Sequence, residues 1–89
     1  MKIREEEIIH QFEKAKARLG KEEISDREYE GLAEQAAAEG RHYAAAVFYH
    51  LAESQALPSP EADRYKELTR EMLRKVDGQG QDSGLDHLD

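Results

Sequence analysis

Residues 42–52 read HYAAAVFYHLA, an apolar island between two histidines in a chain of which 37% is charged. Two readings compete for it: a buried helix at the centre of a small domain, or a site where His42 and His50 do chemistry. Three consecutive alanines ahead of Val47 favour helix over strand. An apolar surface running nearly all the way round belongs to an element with neighbours on several sides. The pattern therefore predicts a central helix over 41–56.

The flanks supply its neighbours. Downstream, Pro58-Ser59-Pro60 breaks the chain. Ser59 can cap a new helix and Pro60 suits its first turn. That helix is expected over 60–77, with Tyr65, Leu68, Met72 and Val76 on one face and Gly78 as its stop. Upstream, Gly40 closes a helix over 26–39. Its start carries the chain's strongest local signal: Ser25 and Glu28 spell a capping box, and Ile24 and Tyr29 stand where a hydrophobic staple would. Gly31 inside it either permits close backbone contact or is simply tolerated. The first helix is expected over 3–19, because Ile8, Phe12, Ala15 and Leu19 share a stripe that Ile9 widens, and Gly20 follows as a C′ residue.

The resulting expectation is an all-α domain of four antiparallel helices over residues 1–77. The last twelve residues, GQGQDSGLDHLD, are read as a disordered acidic tail. With 89 residues the chain suits one domain with a thin core, and 12 alanines favour closely approaching helices. The absence of cysteine removes disulfide and thiolate staples. No apolar run approaches a membrane span, and Met1–Glu7 turns acidic where a signal peptide would turn apolar, so a cytoplasmic location is the expectation. The net charge is −7, with −4 on residues 26–57 and −3 on the last twelve. No basic stripe serves a nucleic-acid backbone. Acids alternate with Lys and Arg along most of the chain, as on solvated helix faces.

A repeat underlies this layout. Tyr29, Leu32, Ala33 and Ala36, followed by Ala45, Tyr49, Ala52 and Pro58, match the spacing of W-x₂-L-G-x₂-Y, A-x₃-F and P, with Pro58 one residue late. Residues 26–58 thus resemble a single tetratricopeptide repeat. Tyr65, Leu68, Thr69 and Met72 repeat the first set at an offset of 36, and Ile8, Phe12 and Ala15 echo the second at 37. The chain then consists of a second helix, one complete pair and a first helix. Since such arrays usually need about three units, these pieces should close into a compact bundle or pack against another chain.

The resemblance implies ligand-facing positions at Arg27, Glu30, Glu34, Ala37 and Ala38, and on the last helix at Asp63, Lys66, Arg70, Leu73 and Arg74. An acidic patch would lie beside a mixed one, suiting a helical or extended peptide with basic residues. The bland reading is that these charges keep the surface soluble. The implied function is a non-catalytic interaction module, an adaptor or regulator, that binds a protein partner or associates with itself as a homodimer. No nucleic acid, membrane, cofactor, metal or catalytic set is expected.

The alternative is a small helical metal-binding protein. Glu7 with His10, and Glu39 with His42, each have the E-x-x-H spacing of di-iron bundle ligands. His10, however, lies about 180° round the helix from the apolar stripe, and the second copy straddles Gly40. His50, with Glu53 one turn on, reads as a boundary histidine. The segment AAAVFYHLAE also resembles the small helical nucleotide-binding or nuclease domains called HEPN. Their motif sets four to six residues between an arginine and a histidine, whereas Arg41 adjoins His42 and has eight residues between it and His50. A leucine-aspartate docking motif at Leu85-Asp86-His87-Leu88-Asp89 is a third reading.

Overall fold

A computed structural model describes the backbone of residues 3–79. Four helices follow in order: α1 (Glu5–Leu19), α2 (Asp26–Ala38), α3 (His42–Ala56) and α4 (Glu61–Gln79). No strand occurs among the described residues.

Local chemistry sets the boundaries of these helices. The Ser25 side chain accepts from the Glu28 backbone N–H at 3.3 Å, and the Glu28 carboxylate accepts from the Ser25 N–H at 2.9 Å. This closes the expected capping box and satisfies two donors that the helix start leaves open. Ile24 and Tyr29 are both buried in the same core cluster. α2 ends in a Schellman arrangement: Gly40 turns left-handed at φ 81°, Arg41 N–H reaches Ala36 O at 2.9 Å, and Gly40 N–H reaches Ala37 O at 3.0 Å. Gly20, at φ 67°, ends α1 with its N–H on Lys16 O. At the start of α4, Ser59 Oγ accepts from Glu61 N–H at 3.2 Å.

α1 has no side-chain cap. Glu5, Glu6 and Glu7 instead place negative charge at its positive end. Its approach is held by the Arg4 backbone N–H, which donates to the Tyr43 hydroxyl of α3 at 3.2 Å.

α3 is the hub. Nine of its residues are buried, including Ala44, Ala45, Ala46 and Val47. It packs most heavily against α4 and α2, and more lightly against α1. Alanine is the reason three neighbours fit: a helix surface without long side chains admits close backbone approach, and its burial needs no rotamer ordering. Ala33, Ala36, Ala52, Ala56, Tyr29, Tyr65 and Met72 complete the main cluster. Tyr43, Val47 and Val76 form a second at the end where α3 begins, joined by Ile3, Ile8, Leu51 and Leu73.

Three details depart from the sequence reading, and a fourth, at Gly31, settles a choice it left open. Ile9 is 55% exposed and Leu19 37%, while Gln11 is 2% exposed, so the buried stripe of α1 is rotated toward Gln11 and Ala15. At about 100° per residue, centring on these two turns Ile9 outward. Leu19 stands at the helix end. A Cβ added at Gly31 meets nothing within 4 Å, so this glycine serves no close approach and is simply tolerated. α4 runs through Gly78 to Gln79, since glycine weakens a helix without forbidding it. The remainder of the expected tail, residues 80–89, lies outside the described residues.

Candidate interaction surfaces

α2 and α4 flank α3, and a polar seam joins them. The Tyr65 hydroxyl donates toward Glu30 Oε1 at 3.2 Å and Asp26 Oδ2 at 3.3 Å. Arg64 Nη2 bonds the other Glu30 oxygen at 3.0 Å and Glu61 at 3.3 Å. The guanidinium also lies over the Tyr65 ring, 4.9 Å from its centroid. Beneath the seam, burial raises the pKa of the Tyr49 hydroxyl, reinforced by the carboxylates of Glu34 and Glu30. Burial likewise pushes Tyr65 up to about 12, helped by Glu30 and Asp26. Both phenols therefore remain protonated donors at neutral pH. Arg64 is half exposed, so its ion pair with Glu30 contributes no more than about 1 kcal/mol.

The positions implied by the repeat resemblance divide into two groups. Arg27, Glu34, Ala38, Asp63, Lys66, Arg70 and Arg74 are exposed. Glu30 faces across to α4 and is engaged within the chain by Arg64 and Tyr65. Ala37 and Leu73 are half-buried against the core. Glu34 is thus the open carboxylate of the α2 group, while Lys66, Arg70 and Arg74 make the α4 face largely basic. Arg70 also pairs with Glu67 at 3.1 Å. Sequence reasoning missed Arg64 and Asp26. A signal existed in the 36-residue offset of Tyr29 and Tyr65: Glu30 follows the first tyrosine and Arg64 precedes the second.

A second feature had no sequence signal. A cavity of about 320 Å³ opens where α1, α2 and α3 meet. Ala15, Leu32, Ala36 and Phe48 form its apolar floor, and Lys14, Arg18, Gln35, Glu39 and Arg41 surround it. Arg18 bonds the neutral Gln35 amide at 2.9 Å, and Arg41 pairs with Glu39 at 3.2 Å.

The histidines are scattered. His10 is exposed, and its E-x-x-H partner Glu7 instead accepts a long 3.4 Å bond from Gln11. Glu39, partner of His42 in the second copy, pairs with Arg41. His50 Nδ1 lies 3.8 Å from Glu53. Among the described residues no three metal-ligating side chains converge, and no helix is long and apolar enough to cross a membrane.

No family model, curated protein or solved structure matches this chain, so its residues and their geometry carry the functional reading.

Proposed function

We propose that the chain is a non-catalytic interaction module that binds a peptide or helix of a partner protein across the outer faces of α2 and α4. One observation supports this reading above the others. The Arg64–Glu30 and Tyr65–Asp26 contacts tie the starts of α2 and α4 together, with Arg27, Glu34 and Ala38 exposed on one helix and Lys66, Arg70 and Arg74 on the other. The side chains that align the helices are engaged with each other, which leaves the outer charges available to a ligand. A segment with a basic residue for Glu34 and acidic residues for Lys66, Arg70 and Arg74 fits this layout, with complementarity setting orientation and encounter rate more than affinity.

A photo-crosslinking amino acid at Glu34 or Arg70 tests the reading, with Glu13 on exposed α1 as control. Expected are adducts to one discrete partner, or to a second copy, from the α2 and α4 positions and not from Glu13. Equal labelling from all three, or a monomer that captures nothing, would overturn it.

A further inference from the structure

We propose that the cavity between α1, α2 and α3 binds a small carboxylate with an apolar body. The carboxylate meets Arg18 and Lys14, and the body lies on the floor of Ala15, Leu32, Ala36 and Phe48. None of these residues belongs to the α2–α4 face, so the two readings fail independently.

Helix packing creates the cavity. α1 and α2 each rest on α3 and hardly on each other, so a gap stays open between them over the third helix. Ala15 on α1 and Ala36 on α2 line it with side chains too short to fill it. Atoms at the edge of such a gap lack the dispersion partners that a packed interior supplies, and an apolar ligand restores them. The volume of about 320 Å³ is near the lower end of the range of about 300–1,000 Å³ for ligand pockets, which limits the body to a small one.

Charge selects the head group. Arg41 pairs with Glu39 at 3.2 Å, so the one carboxylate lining the cavity is already neutralised. Among the described residues, Lys14 and Arg18 pair with no carboxylate. They stand one turn apart on α1, at the i, i+4 spacing where like charges repel. Arg18 Nη2 donates across the gap to the neutral Gln35 amide at 2.9 Å, which orients the guanidinium without cancelling its charge. Its other N–H groups remain for a ligand, and a planar carboxylate accepts two of them at once. In a chain with a net charge of −7, two uncompensated cations at an apolar pocket favour an anion and reject an amine. Both side chains are exposed, so charge decides which ligand enters while the apolar body supplies most of the affinity.

The test titrates the full chain, isotope-labelled at amides and methyls, with sodium octanoate. Resonances of Leu32, Ala36 and Phe48 should shift and saturate, while those of Tyr65 and Met72 stay in place. Hexanoate, shorter by two methylenes, should bind about five- to fifteenfold more weakly. Octylammonium at the same concentration should leave the cavity resonances unmoved. A Lys14→Gln/Arg18→Gln variant, changed only at exposed positions, should bind octanoate at least about fivefold more weakly. The same variant should bind 1-octanol as wild type does, which separates loss of charge from loss of the cavity. No saturable shift with octanoate would overturn the proposal. Octylammonium moving the same resonances as far, or a variant that holds octanoate as tightly as wild type, would overturn it equally.

Discussion

Tyr29 and Tyr65 stand 36 residues apart, near the starts of α2 and α4, yet their hydroxyls meet opposite fates, and Tyr→Phe substitutions separate them. Tyr65 O–H donates toward Glu30 and Asp26, whereas the buried Tyr29 O–H has no protein partner. A hydrogen bond to a charged group contributes about 1.5–3 kcal/mol. At 3.2–3.3 Å the lower end applies, and Glu30 keeps Arg64 after the change. Tyr65→Phe should therefore cost about 1–2 kcal/mol, lowering Tm by roughly 4–16 °C in a domain of this size. Tyr29→Phe removes an unpaired group from the core and should leave Tm unchanged or raise it. Thermal and urea unfolding followed by circular dichroism at neutral pH measure both.

The pH dependence adds a signature. Tyr65 holds its proton up to about 12 in the folded state, above the value near 10 in an unfolded chain. The folded form binds more protons in that interval, so the Tyr65 contribution is complete below pH 10 and is lost as pH climbs toward 12. The gap between wild type and Tyr65→Phe should close over the same interval. Equal Tm values for the two proteins, or a Tyr29→Phe loss as large as that of Tyr65→Phe, would refute the reasoning.

Three further outcomes follow from local geometry. Gly31→Ala fills empty space on an exposed helical face, and should stabilise the chain by about 0.5–1 kcal/mol in urea unfolding. Ser25→Ala removes the cap of α2 and should cost about 1 kcal/mol in the same assay. The Lys21 bond, then the Ser25 N–H, hold the Glu28 carboxyl below its ordinary 4.5. The advantage of wild type over Glu28→Gln should accordingly be present above pH 4.5 and vanish as acid protonates the group, read as Tm against pH.

What could be read in advance was what lies close in sequence. Ser25, Glu28, Gly20 and Gly40 act within a few residues of themselves, and their roles followed from spacing alone. The burial of α3 was legible because Ala44–Tyr49 has no polar face to offer. Orientation was harder. Gln11 on α1 is polar, so an apolar-stripe argument assigns it to the surface, yet its position between Ile8 and Ala15 faces it inward with Oε1 unpartnered. Ile9 erred the other way, because hydrophobicity alone does not fix the centre of a stripe. The seam of Arg64 with Glu30 spans 34 residues, and the cavity draws its cations from α1 and the start of α3. Both depend on how helices cross, which periodicity along one helix does not encode.

Native-state hydrogen exchange tests the central claim, that the alanine-rich α3 is the hub on which α2 and α4 are aligned, most directly. α3 is covered by three helices, while α1 makes its lighter contact through one stripe. Amides of Ala45, Val47, Phe48 and Tyr49 should open only with global unfolding, and those of α1 earlier by local opening. Exchange of the α3 amides at or before the rate of α1 would contradict the account.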